Sequence, residues 1–130
     1  MKKLDNYKNC LDVLMQVNFD LAYDDEIYRM GVIGQFDLTL EMAWKALQQI
    51  LRDHGVDGSG TGSPKEILKL GYKVGFLNDQ AVWLDMLHNR NKSAREYNED
   101  EIDELILLIR DSYINAFMML YDILKKKTDE

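Results

Sequence analysis

The 130-residue chain has one cysteine, one proline and two histidines, and these scarcities bound its chemistry. Cys10 alone cannot close an intrachain disulfide, and with so few histidines the chain does not build a zinc cluster, so a reducing cytoplasm is the expected setting. No stretch approaches the roughly 20 apolar residues of a membrane span. The opening Met-Lys-Lys-Leu-Asp-Asn-Tyr has the charges of a secretory signal without its apolar run. Basic residues are also in deficit, 16 against 23 acidic ones, for a net charge of −7. That balance argues against a general nucleic-acid binder that works by neutralising many phosphates. It leaves room for a local basic site. Lys92 and Arg95 flank Arg90, and Lys65, Lys69 and Lys73 recur at four-residue steps, a spacing that equally describes a solvated helix face.

The length fits one domain, residues 1–130, which buries roughly two-thirds of the surface exposed by its unfolded chain. With Pro64 as the single proline, abundant Leu, Met, Lys and Glu, and no convincing alternating pattern, the expected class is all-α. The expected architecture is an antiparallel up-and-down four-helix bundle with an additional short helix. A first helix is expected over about 4–23, with Leu4, Tyr7, Leu11, Leu14 and Leu21 inward. Asp24 or Asp25 then caps a long second helix ending at Gly55. Gly31 and Gly34 share a face of it and suit close packing or a bend.

Gly55 to Gly62 reads as a flexible loop. Its glycines lack the lysine and serine or threonine of a Walker loop, and no strand precedes it. Ser63-Pro64-Lys65-Glu66 has the serine cap, first-turn proline and returning glutamate of a helix start. That short helix ends near Gly71 or Gly75. A fourth, capped by Asn78 or Asp79, is expected to carry Trp83 through about Tyr97. The last opens at Asn98-Glu99-Asp100-Glu101 and closes at Lys125-Lys126-Lys127, both ends complementing the helix dipole. Its inward stripe is Ile102, Leu105, Ile106, Ile109, Tyr113, Ala116, Phe117, Leu120 and Leu124.

Polar residues on apolar stripes mark the candidate site. Trp83, Leu87, Arg90, Ala94 and Tyr97 follow three- and four-residue steps, which places the Arg90 guanidinium on an inward face where it needs an anion. A carboxylate of the fold and a ligand phosphate both meet that need. Glu41, between Leu38 and Trp44 at three-residue steps, is the matching half-buried carboxylate. It is expected to accept hydrogen bonds or pair with a cation, Arg90 first among them. His54 stands beside Gly55 as a cation at a helix end. His88, two residues before Arg90, falls on nearly the opposite side of an ideal helix. Neither a nucleophile triad nor a paired-carboxylate acid/base site is assigned, and the methionines read as core and packing residues rather than a cofactor site.

Phe36-Asp37-Leu38-Thr39-Leu40-Glu41-Met42-Ala43-Trp44-Lys45, Ser63-Pro64-Lys65-Glu66, Trp83 and the stretch Arg90 to Tyr97 together resemble the nucleotidyltransferase substrate-binding protein family. These are helical bundles within the wider HEPN group. The resemblance implies a homodimeric, non-catalytic accessory subunit that works with a separately encoded minimal nucleotidyltransferase. No cofactor is expected. In this reading Arg90, Asn91, Lys92 and Arg95 bind a nucleotide or RNA phosphate, supported by Glu41 and Trp44. Related toxin–antitoxin pairs imply the alternative of a ribonuclease, marked by arginine, four residues, histidine, one residue and tyrosine. Here the arginine is Arg90 and the tyrosine Tyr97, a candidate modification acceptor, but Arg95 holds the histidine position. A guanidinium stays protonated and cannot exchange a proton near neutral pH, which counts against that chemistry. A third alternative is a purely structural bundle.

Overall fold

A computed structural model of the chain describes residues 1–90 and 98–129, and its regular structure is entirely helical among them. In chain order the helices are α1 (Lys2–Met15), α2 (Phe19–Asp24), α3 (Glu26–Asp53), α4 (Pro64–Lys73), α5 (Gln80–Asn89), α6 (Glu99–Leu108) and α7 (Ile114–Thr128). A π-helical turn, Ile109–Tyr113, joins the last two. The hub is α3, 28 residues long, about 42 Å at 1.5 Å per residue. It packs against α1, α2, α4, α6 and α7, while α1 also meets α7 and α5 meets α4 and the π turn. No described helix is long and apolar enough to cross a membrane.

The expected first helix is in fact two. Asn18 Oδ1 accepts the Leu21 amide at 3.0 Å and so begins α2 separately, because a capping asparagine competes with continuation of the preceding helix. The restart changes which residue faces inward: Ala22 is buried, and Leu21 is 42% exposed. The next cap is Asp25, whose carboxylate accepts the Tyr28 amide at 3.0 Å.

Two glycines end their helices in the same way. Gly55 has φ 70° and Gly75 φ 86°, the left-handed region that favours glycine. The Gly55 amide donates to Arg52 and the Val56 amide to Leu51; the Gly75 amide donates to Tyr72 and the Phe76 amide to Gly71. This paired closure satisfies carbonyls that the helix leaves free. The two ends also meet, with the His54 ring edge-on to Phe76 at 5.5 Å. Between α3 and α4 the loop is irregular, as its glycines require, yet it is fastened. Gln48 Nε2 and Arg52 Nε both donate to the Ser59 carbonyl, at 3.1 and 3.2 Å.

The glycines expected to permit close packing do not do so within this chain: a Cβ on Gly31 or Gly34 would meet nothing within 4 Å. The close approach is at Gly71, where a Cβ would lie 2.9 Å from Leu47 Cδ2. Leu47 is fully buried, so it has little room to yield. Gly71→Val is therefore expected to cost about 2 kcal/mol by overpacking the α3–α4 contact, measurable as a lower urea midpoint.

The inward stripe of the last helical stretch is as the spacing predicts, from Ile102 to Leu124, except that Ala116 is only partly buried. Its geometry is not uniform, however. Ile109, Tyr113 and Phe117 follow two successive four-residue steps, and each such step overshoots a full α-helical turn by about 40°. The wider π turn, in which the Ile114 amide donates to Ile109, takes up that drift and keeps all three residues on the core side.

Candidate functional site: a basic cleft between two helix ends

The cleft is assembled where α4 starts and α5 stops. Ser63 Oγ accepts the Glu66 amide at 3.2 Å while Glu66 Oε1 reaches back toward the Ser63 amide at 3.4 Å, so this start is capped as its sequence predicts. Asp79, rather than Asn78, caps α5, accepting the Val82 amide at 3.2 Å. The stripe that α5 buries is Trp83, Met86 and Asn89, not Trp83, Leu87 and Arg90. Leu87 is half-buried instead.

Arg90 does not continue the helix. Its backbone is extended, φ −62° and ψ 138°, with its amide donating to Leu87 at 3.3 Å. Having left the helical frame, it no longer obeys the angular spacing that set it opposite His88. Both side chains line one cleft of about 370 Å³, with Ser63, Pro64, Lys65, Leu84 and Leu87. Lys65 thus joins Arg90, although 25 positions separate them in the sequence. The walls are largely apolar, which raises the strength of charge interactions inside. Arg90 Nε is buried and has no hydrogen-bond partner among the described residues. A guanidinium donor withdrawn from water without an acceptor is costly, and a bound anion would supply one.

Glu41 is not that acceptor. Its Oε2 accepts from Trp44 Nε1 at 3.0 Å, and its Oε1 pairs with Lys45 Nζ at 3.2 Å. Burial by itself would raise the Glu41 pKa. The hydrogen bonds from Trp44 and Lys45, with the charges of Lys45 and Arg90, outweigh it and hold the carboxyl below its ordinary value. Arg90 therefore acts on Glu41 through space, while its expected direct role is taken by a lysine one turn along α3. Trp44, expected only as a supporting residue of the site, is the group whose indole N–H holds Glu41.

A partly buried polar network holds the residue next to Arg90 in the chain. Asn89 Nδ2 donates to the Tyr113 hydroxyl at 2.8 Å, and that hydroxyl donates to Asp85. The Tyr113 ring stacks on Phe36 with centroids 5.3 Å apart. Burial and the Asp85 hydrogen bond raise the Tyr113 pKa well above a free phenol's, so it stays protonated at any ordinary pH. Sequence reasoning missed this network. The signal was Asn89, a polar residue one position before Arg90 that the true register of α5 turns inward. Asn91, Lys92, Arg95 and Tyr97, the remaining candidates, lie outside the described residues.

The all-α fold of this chain has known relatives. The family described as nucleotidyltransferase substrate binding protein like matches residues 2–126. The chain belongs to that family, and its class is that of substrate-binding helical domains associated with nucleotidyltransferases. The solved structure of ttk003001694 from Thermus thermophilus is 27% identical, with TM-score 0.72, covering 91% of this chain and 98% of that one. HI0074 from Haemophilus influenzae is 19% identical, with TM-score 0.68 and 95% of each chain covered. That structure is described as revealing the fold of a substrate binding domain of a nucleotidyltransferase. No functionally curated protein sequence matches significantly.

Proposed function

We propose that this chain is the non-catalytic substrate-binding subunit of a separately encoded minimal nucleotidyltransferase, and that the cleft receives a phosphate of a nucleotide or RNA. One observation carries the cleft assignment: Arg90, whose Nε is buried without a partner among the described residues, lines a cleft that Lys65 and His88 also line. The family supports the nucleotidyltransferase partner. In this arrangement Arg90 and Lys65 hold the phosphate, Leu84 and Leu87 offer apolar surface beside it, and the partner performs the transfer. Asn91, Lys92 and Arg95 follow directly in the chain and are assigned to the same phosphate. The net charge of −7 suits a short ligand better than a long nucleic acid. Co-purification with a minimal nucleotidyltransferase from the same genome tests the partnership: a stable complex whose transfer rate exceeds that of the partner alone is expected. Separate elution with no rate change contradicts it.

The subunit is further assigned as a homodimer through the outer face of α3. Ile27, Gly31, Gly34 and Leu38 are all exposed along this face. Their spacing of four, three and four residues reads alike in both directions. An antiparallel copy related by a two-fold axis midway between the glycines would set each Ile27 on the other Leu38 and let the backbones approach at the glycines. Ile27 is 85% exposed, a large apolar side chain with no cover in the single chain. Ile27→Asp should convert a dimer to a monomer in sedimentation velocity, whereas a wild type that sediments as a monomer rules the assignment out.

His88 favours a second reading. An exposed imidazole beside Arg90 gives the cleft a proton carrier that position 95 does not provide, as a divergent ribonuclease requires. That reading predicts RNA cleavage lost in both His88→Ala and Arg90→Ala. Intact RNA with wild-type protein over a broad pH range rejects it.

A further inference from the structure

We propose that Tyr113, Asn89 and Asp85 form a clamp that positions Arg90, so that the reach of its guanidinium into the cleft is set by the hold on the end of α5. The inference rests on the cleft reading above, but its central observation is independent of it. Asn89 is the last residue of α5 and Arg90 the first to leave it. The direction in which Arg90 departs is therefore fixed by what holds Asn89. That hold is the Tyr113 hydroxyl, which accepts from Asn89 Nδ2 at 2.8 Å and donates to Asp85, one turn earlier on the same helix. A single phenol thus ties together two successive turns at the end of α5.

The phenol is itself immobilised. It is 1% exposed, stacked on Phe36 of the hub helix, and carried on the π turn. A hydroxyl on a rigid ring, committed as donor to a carboxylate and as acceptor from an amide, admits one arrangement of α5 and resists alternatives. π-helical turns often occur at functional sites. Here the turn places Tyr113 under the last turn of α5. Loss of the hydroxyl would leave Asn89 buried with an unmatched amide, and the relief available is to move the end of α5, carrying Arg90 with it.

Tyr113→Phe tests the clamp because the stacked ring remains and only the two hydrogen bonds go. Two readouts are needed: the Arg90 Nε–H resonance in the free protein, and the dissociation constant for 5′-AMP by NMR titration. Ile109→Val, a core change on the same turn without a polar atom, serves as the stability control. The clamp predicts that Tyr113→Phe shifts the Arg90 Nε–H resonance, speeds its solvent exchange and weakens AMP binding about tenfold. Ile109→Val should leave all three near wild type. Asp85→Asn, which keeps an acceptor for the phenol, should restore most of what Asp85→Ala loses. An unchanged Arg90 resonance in Tyr113→Phe overturns the clamp, as does an equal effect from Ile109→Val. If wild-type protein binds no AMP, the cleft reading fails by itself, and the free-protein resonance still decides for or against the clamp.

Discussion

Arg90→Ala is expected to weaken binding of 5′-AMP by about 10- to 100-fold while leaving the unfolding midpoint almost unchanged, since charge-assisted hydrogen bonds to an anion contribute roughly 1.5–3 kcal/mol each. Removing the guanidinium deletes at least one such bond together with the nearest positive charge. Stability should survive because Arg90 completes no described ion pair: the cation that neutralises Glu41 is Lys45, at 3.2 Å. This separates the cleft from a purely structural network. Were Arg90 the partner of a buried carboxylate, its loss would destabilise the protein by about 3–5 kcal/mol. Binding followed by NMR and unfolding followed by circular dichroism give both numbers from the same preparation. Residual affinity in Arg90→Ala should fall steeply with added salt, since Lys65 holds phosphate as an unspecific point charge.

Phe117→Ala should be the most damaging single change in the fold, lowering unfolding free energy by about 3–5 kcal/mol. The Phe117 ring is fully buried and lies within 6.4 Å, centroid to centroid, of Tyr7, 6.2 Å of Phe36 and 5.5 Å of Trp83. These three rings belong to α1, α3 and α5, so one side chain on α7 joins four helices. Its carbonyl also accepts the buried Tyr7 hydroxyl. Truncation opens a cavity that rigid neighbouring rings cannot close, and the cost rises with the volume left empty. Since ordinary domains are stable by about 5–15 kcal/mol, such a loss would consume much of the margin. Chemical denaturation of wild type and variant checks it; a change below about 1 kcal/mol would contradict the central place assigned to this ring.

The helical class and most of the core were readable from periodicity. The stripe from Ile102 to Leu124 and the cap at Ser63 appear as their residues dictate, because both depend on local spacing and side-chain chemistry. What was misread depended on where regular geometry stops. Asn18 breaks the first helix through its side chain, a competition that an apolar stripe does not reveal. The expected stripe Trp83, Leu87 and Arg90 assumed an unbroken helix with a slightly different register. Buried Asn89 and the extended backbone of Arg90 replace it. The same assumption separated His88 from Arg90, which the end of α5 brings to one cleft. Lys65 was visible as a basic residue near a helix start, but its meeting with Arg90 is a tertiary fact. The π turn left a trace in the two successive four-residue steps, although ordinary helical wobble gives the same pattern. The exposed glycines of α3 were recognised as a shared face suited to close packing or a bend, whereas the glycine packed tightly within the chain is Gly71. For that residue the decisive neighbour, Leu47, lies on another helix.

The central claim is that the cleft between α4 and α5 holds phosphate, and residue-resolved NMR titration of the wild-type protein with 5′-AMP tests it most directly. Chemical-shift changes should concentrate at Ser63, Lys65, His88 and Arg90 and saturate with one ligand per chain, and in Arg90→Ala those at Ser63, Lys65 and His88 should need about 10- to 100-fold more ligand. Shifts that spread weakly over all surface lysines, or gather at the loop from Gly55 to Gly62 while these residues stay silent, would contradict it.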